Sequence, residues 1–191
     1  MKSVGLRELI VFLDAQTQAS FLGSSVGDFL TEHYVELDDL LAFTRFREDT
    51  YARNLVQRTA LYELFVLAWL PGQKACIHDH AGQRCWTTLH NGQLTFQEYA
   101  PYESEMLAPV PVGPAKVFSP GTLVYIDDDQ AMHSIANHGK IPAVSLHLYA
   151  GPIARCRIFD ESLKTFKLVE LQCFPPPPEM EWHKERPPLL G

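Results

Sequence analysis

Three histidines, at positions 78, 80 and 133, carry the clearest chemistry in this sequence of 191 residues. His78 and His80 are separated by one residue, and alternate residues of a strand point to the same face of a sheet. The two imidazoles would therefore project together, while Asp79 between them points the other way. With His133 from a later strand, they would form a three-nitrogen site of the kind that binds iron, zinc, nickel or copper.

The alternative is that His78 and His80 only decorate a strand and that His133 is an ordinary core residue. Glycines bracket the first pair at Gly72 and Gly82, and the surrounding sequence has the texture of short strands and turns. These features favour a metal site. Three neutral imidazoles leave the charge of a divalent cation uncompensated, so the site would accept an anionic ligand and lower the pKa of that ligand.

A possible anion-binding group lies upstream, where Tyr51 and Arg53 would share one face of an extended segment. An arginine that faces the interior of a barrel needs an anion, and a carboxylate fits its planar guanidinium. The alternative is a surface salt bridge, which the sequence alone favours because arginine is rarely buried.

Polar side chains also alternate along a late strand, at Ser145, His147 and Tyr149, with leucines between them. On an inner face they would form a hydrogen-bond relay from hydroxyl to imidazole to phenol. Tyr149 would then orient a bound ligand or pass a proton. The alternative is a solvated outer face, which is commoner for a single strand.

Other reactive residue types lack companions that argue for chemistry. Cys76 has the same parity as His78 and would either line the site or, as we expect, form a small buried core thiol. Trp69 is expected to pack in the core or at a barrel rim. We expect surface positions for the remaining histidines, which are His33, His90, His138 and His183.

The elements that would position these residues change character near residue 50. Leu6, Leu9, Ile10 and Leu13 form the apolar stripe of an amphipathic helix, and a second helical stretch runs near 35–46. From Tyr51 onward, short apolar or alternating runs predict about nine strands, with Asn91-Gly92 as a hairpin turn. These candidates are Leu61–Leu70, Ala75–His80, Arg84–His90, Gln93–Tyr99, Thr122–Ile126, Ala131–Ile135, Pro142–Tyr149, Arg155–Asp160 and Thr165–Leu171.

The composition bounds the class of protein. A hydrophobic content of 46% and an aromatic content of 11% indicate a folded globular chain. The net charge is -7 and no basic patch is evident, which argues against a nucleic-acid partner. The first ten residues have no apolar signal core and no run would span a membrane, so we expect a cytoplasmic monomer with no membrane partner.

Taken together, these stretches resemble the type I cysteine dioxygenase family, mononuclear non-haem iron enzymes with the cupin fold. The stretch around His78 and His80 has the spacing of the first cupin motif, with Cys85 where the usual Glu stands. The other stretches that carry the resemblance are 51–56, His133 with Asn137, and 142–149. The resemblance implies a mainly β fold, a cupin β-barrel (double-stranded β-helix, or jelly roll) with N-terminal α-helices. Residues 1–174 would be a single domain, helical over about 1–50, and residues 175–191 a proline-rich tail.

Family roles carry over residue by residue as expectations. His78, His80 and His133 would bind Fe(II), and Arg53 with Tyr51 nearby would hold the substrate carboxylate. Tyr149 would act beside the metal, supported by His147 and Ser145. Cys85 matches a cysteine that forms a thioether with the tyrosine matching Tyr149 in many members. One departure is Ala150-Gly151-Pro152, where many members have Ser-Pro-Pro.

The activity that the resemblance implies is oxidation of L-cysteine by O2 to cysteine sulfinic acid, as in cysteine catabolism. One alternative is a 3-mercaptopropionate dioxygenase, a branch that typically lacks the crosslinking cysteine and has Gln in place of Arg53. The others are a zinc or nickel cupin such as a hydrolase or isomerase, and a non-catalytic cupin that binds a small carboxylate.

Overall fold

Helices occupy the first part of the chain in the computed structural model, which describes residues 1–102, 108–127 and 132–180. They are α1 (Leu6–Asp14), α2 (Gln18–Leu22), α3 (Ser25–Glu32) and α4 (Leu37–Leu41), and a 3-10 helix follows much later at Pro178–Met180. The predicted stripe of α1 is confirmed, because Leu6, Leu9, Ile10 and Leu13 are its buried residues. The predicted helix near 35–46 is shorter than expected. It ends at Leu41, and Phe43 instead enters the core from the turn that follows.

Twelve strands are present in the described part of the chain. They are β1 (Lys2–Val4), β2 (His33–Val35), β3 (Ala52–Arg58), β4 (Glu63–Trp69), β5 (Cys85–Asn91), β6 (Leu94–Tyr99), β7 (Lys116–Phe118), β8 (Leu123–Ile126), β9 (Met132–Ala136), β10 (Ala143–Tyr149), β11 (Arg155–Asp160) and β12 (Thr165–Glu170). The predicted turn at Asn91-Gly92 is present between β5 and β6, and Gly92 adopts a φ of 76° that a residue with a side chain would rarely tolerate. The predicted hairpin is wrong, because β5 pairs with β10 and β8 whereas β6 pairs with β7 and β9, so this turn carries the chain from one sheet to the other.

Ten of the twelve described strands form two facing layers, and β1 and β2 pair in parallel as a separate two-stranded sheet. The first has the order β3-β4-β10-β5-β8, and smaller sheets of order β7-β6-β9 and β11-β12 lie in the second layer. Residues 74–79 connect these two smaller sheets, because His78 bridges to His133 of β9 on one side and to Ile158 of β11 on the other. The predicted strand Ala75–His80 is therefore an extended segment with isolated bridges rather than a continuous strand.

Side-chain alternation divides the core into two parts. On β4 and β10, Leu64, Val66, Leu146 and Leu148 pack against the N-terminal helices. The intervening residues of the same strands face the second layer, where Phe65 and other side chains form a separate apolar cluster. This arrangement confirms the predicted mainly β barrel with N-terminal helices, and it turns Ser145, His147 and Tyr149 toward the interior.

The proline-rich tail begins after Phe174, whose backbone pairs with that of Arg53 and Leu55. Its described part includes the 3-10 helix, and Met180 packs against the helical core. Residues 181–191 of the predicted tail lie outside the described residues. None of the described helices has both the length and the apolar character required to cross a membrane.

Candidate metal centre

The three histidines singled out by the sequence converge on the inner wall of the barrel. His78 and His80 come from the extended segment and His133 comes from β9, and their ligand atoms all lie within 4.8 Å of one another. Two backbone hydrogen bonds join the extended segment to β9, from His78 N to His133 O at 2.9 Å and in return at 3.0 Å. This cross-strand pairing sets the third imidazole beside the first two.

The orientation and charge of these imidazoles suit a metal ion. His78 Nδ1 lies 2.8 Å from the carbonyl oxygen of Cys76, to which it donates, so its Nε2 keeps a lone pair for a cation. Burial lowers the pKa of His78 and lowers the pKa of His80 well below its usual value. Both rings are therefore neutral at neutral pH, which is the form that coordinates metals.

A cavity of about 210 Å³ opens in front of the histidines. Arg53 projects into it from β3, and only 9% of this residue is exposed. Its guanidinium carbon lies 4.4 Å from the centre of the Phe65 ring. None of the described carboxylates forms a salt bridge with Arg53. The prediction of a surface salt bridge, which the sequence favoured, is thus wrong. Arg53 is instead a buried cation in the cavity, and a buried cation needs an anion.

Tyr51 lies at the mouth of the cavity, where its ring stacks on Trp69 with centroids 4.3 Å apart. Burial raises the pKa of the Tyr51 phenol, so the hydroxyl stays protonated. An outer cleft of about 470 Å³ adjoins the cavity, and Tyr51 and Arg53 line both. The guanidinium of Arg53 therefore lies between the histidines and the surface.

The polar face of β10 is buried, contrary to the solvated face that is commoner for a single strand. Ser145 Oγ lies 2.9 Å from His147 Nε2, which is the first contact of the predicted relay. The second contact differs from the prediction, because His147 Nδ1 lies 3.0 Å from the hydroxyl of Thr87 rather than at the phenol of Tyr149. Thr87 was not among the residues that the sequence pattern singled out, although its parity with Cys85 on β5 places it on the inner face.

Tyr149 and Cys85 are directly opposite residues of β10 and β5. Side chains at such positions lie on the same face, with Cβ atoms roughly 4.5–5.5 Å apart. The Tyr149 ring also meets the His80 ring edge-on at 5.1 Å. Burial raises the pKa of the Tyr149 phenol well above its usual value, so the hydroxyl keeps its proton.

Two expectations about isolated residues are wrong. His90 is 5% exposed rather than on the surface, because its ring stacks on Tyr34 of β2 at 4.6 Å. Cys76 is exposed rather than buried, and it lines the cavity together with the buried Cys156. His138 is exposed as expected, and His183 lies outside the described residues.

A barrel of two facing sheets, with three neutral imidazoles and a buried arginine on its inner wall, defines a metal-binding cupin. Residues 14–162 match the family model described as cysteine dioxygenase type I. The chain belongs to the type I cysteine dioxygenase family, and it is therefore an enzyme of the dioxygenase class.

The relatives are moderately similar to this chain. Cysteine dioxygenase type 1 of Danio rerio is 29% identical over 164 residues, which cover 84% of this chain and 82% of that protein. Cysteine dioxygenase type 1 of Homo sapiens is 31% identical over 121 residues, covering 62% of this chain and 60% of that protein. A solved Klebsiella pneumoniae protein with a double-stranded β-helix domain is 18% identical to this chain, with a TM-score of 0.47. That likeness covers 68% of this chain and 92% of the solved one.

Proposed function

We propose that this protein oxidises L-cysteine with O2 to cysteine sulfinic acid at Fe(II) held by His78, His80 and His133. The single observation that carries the proposal is the placement of Arg53. Its buried guanidinium shares a cavity of about 210 Å³ with the three imidazoles. A molecule with a carboxylate at one end and a metal-binding group at the other would engage both.

The three-histidine ligand set supports a metal whose anionic ligand would come from the substrate. Three neutral imidazoles bring no negative charge, and Cys85 stands where a cupin glutamate would supply one. Iron(II), when bound, would supply the redox chemistry that joins dioxygen to the sulfur of a coordinated thiolate. The thiolate of cysteine then provides the charge that the protein does not.

Arg53 would bind and orient the substrate. A guanidinium donates two parallel hydrogen bonds to a carboxylate, and such a pair fixes direction as well as position. The guanidinium lies against the Phe65 ring and only 9% of Arg53 is exposed, so that pair would be partly shielded from water. Holding the carboxylate there directs the sulfur of the same molecule toward the histidines.

Tyr149 would act as a hydrogen-bond donor beside the metal. Its raised pKa keeps the phenol protonated, and its ring lies edge-on against His80. Ser145 and His147 support its strand from the interior, and a thioether with Cys85 would fix the ring. The product, a sulfinic acid, has gained both atoms of O2 and lies on the ordinary oxidation series of thiols.

The test is oxygen consumption by the protein loaded with iron under anaerobic conditions. L-Cysteine and 3-mercaptopropionate are supplied in parallel, sulfinate is quantified, and zinc-loaded protein is the control. We expect uptake with a strong preference for cysteine and one sulfinate per O2. A preference for 3-mercaptopropionate would contradict the proposed substrate. The absence of oxygen uptake by fully iron-loaded protein with either compound would contradict the proposed chemistry.

A further inference from the structure

Five buried side chains form a continuous hydrogen-bond chain that ends at a cysteine. It crosses β4, β10 and β5, and its contacts are Trp69 Nε1 to Ser145 Oγ at 3.0 Å, Ser145 Oγ to His147 Nε2 at 2.9 Å, His147 Nδ1 to Thr87 Oγ1 at 3.0 Å and Thr87 Oγ1 to Cys85 Sγ at 3.5 Å. Each member is at most 5% exposed. Water therefore does not substitute for any of these contacts.

The direction of the chain follows from its first member. An indole N–H only donates, so Ser145 Oγ accepts from Trp69. If His147 also donated to Ser145, the serine proton would have no acceptor among the described residues, at a cost of roughly 1–3 kcal/mol for a buried group. Ser145 therefore donates to Nε2 of His147, and Nδ1–H of His147 donates to Thr87. The remaining proton, on the Thr87 hydroxyl, is left to donate to the sulfur of Cys85.

We propose that Thr87 is a positioning residue for Cys85, whose sulfur it holds against the ring of Tyr149 so that the thioether between them forms. Cys85 and Tyr149 are opposite residues of their strands, and Thr87 is the next inward-facing residue of the same strand as Cys85. A hydrogen bond from the Thr87 hydroxyl to the sulfur favours one rotamer of the Cys85 side chain. The same bond fixes the direction in which the sulfur lone pairs point. This inference rests on the proposed function, because dioxygen is the oxidant.

The step balances with dioxygen alone. A bond forms between Cys85 Sγ and the Tyr149 ring carbon next to the hydroxyl-bearing carbon, and the S–H and ring C–H bonds break. The protein loses two electrons and two protons, and dioxygen takes them up to give hydrogen peroxide. The mass of the chain falls by about 2 Da, which is the mass of two hydrogen atoms, and this change is independent of catalytic turnover.

The first test follows crosslinking in three variants of the iron-loaded protein in air. Thr87→Val keeps the shape and removes the hydroxyl, Thr87→Ser keeps the hydroxyl, and Thr88→Val changes the outward-facing neighbour. The mass loss and the gel mobility of the denatured chain report the rate. We expect about tenfold slower crosslinking in Thr87→Val, because small misplacements of reacting groups are costly, and near-normal rates in the other two.

The outcomes separate this inference from the proposed function. Crosslinking of the wild type with equal rates in Thr87→Val would overturn the role of Thr87. No crosslinking in any variant would overturn the thioether itself. If Thr87→Val fails to fold, the tautomer of His147 in the wild-type apoprotein decides, measured by long-range proton–nitrogen correlation NMR. Protonated Nδ1 supports the donor direction, and protonated Nε2 contradicts it.

Discussion

The carboxylate of Asp79 binds both the backbone and the side chain of Arg157, a residue of β11. Asp79 Oδ1 accepts from Arg157 N at 2.8 Å, and Asp79 Oδ2 lies 2.9 Å from Arg157 Nη1. The guanidinium of Arg157 is in turn 4.1 Å from the centre of the Tyr102 ring. Asp79 separates two candidate metal ligands in the chain, so this contact anchors the segment that carries both.

Loss of that anchor is expected to weaken metal binding. Asp79→Asn cannot pair with Arg157 as an ion, so His78 and His80 become less well fixed. We expect the affinity for a divalent metal to fall about tenfold to a hundredfold, the range for residues that orient ligands. Titration against a competing chelator measures it. The matched control is Asp160→Asn, which removes the salt bridge between Asp160 and Lys167. An equal loss of metal affinity in this control would contradict the anchoring role of Asp79.

Arg53 is expected to govern substrate affinity rather than metal content. Arg53→Ala removes the buried partner of the carboxylate while leaving the three histidines in place. We expect KM for cysteine to rise about a hundredfold, since a charged hydrogen bond contributes about 1.5–3 kcal/mol. Steady-state kinetics with parallel iron analysis make the measurement. Arg155→Ala, at an exposed arginine, should leave KM unchanged. Collapse of iron loading in Arg53→Ala would instead identify a structural arginine.

Cys85 and Tyr149 are expected to yield two forms of the wild-type chain in denaturing gels. Cys85→Ser and Tyr149→Phe should each give one band, because either change removes the phenol–thiol pair. Tyr149→Phe should also lower kcat about a hundredfold to a thousandfold, since it deletes a hydrogen-bond donor beside the metal. Cys85→Ser should retain more activity than Tyr149→Phe, because it keeps the phenol. The reverse order of activities would contradict the proposed role of the hydroxyl.

His90 is expected to make the fold sensitive to acid. Burial lowers the pKa of His90 from 6.5 to about 4. As the pH falls below 6.5, the unfolded chain binds a proton that the folded chain does not accept until about pH 4. The contribution of His90 therefore lowers the free energy of unfolding by about 1.4 kcal/mol per pH unit in that window.

Urea unfolding at pH 6.5, 5.5 and 4.5 tests this expectation. The free energy of unfolding should fall more steeply with decreasing pH in the wild type than in His90→Gln. The difference in slope in that window should correspond to the uptake of about one proton on unfolding. His138→Gln is the control, since His138 is exposed. If the free energies of unfolding of the wild type and His90→Gln changed with pH in parallel, His90 would be protonated equally in the folded and unfolded states, which would contradict this expectation.

The sequence by itself determined the local elements and the three histidines. The stripe of α1, the turn at Asn91-Gly92 and the strands from β4 onward except β7 follow from periodicity and turn chemistry, which act over a few residues. The parity of His78 and His80 likewise follows from strand geometry. Short elements such as β1 and β7 escaped prediction because three residues give too little pattern to recognise.

Only the tertiary structure decided what the other residues touch. The sequence favoured exposure both for Arg53 and for the polar face that carries Ser145, but both residues are buried because β3 and β10 turn those faces toward the second layer. Thr87 meets His147 only because the register of β5 against β10 places them opposite each other. Register depends on the whole sheet, because a shift of one residue would move every side chain to the other face.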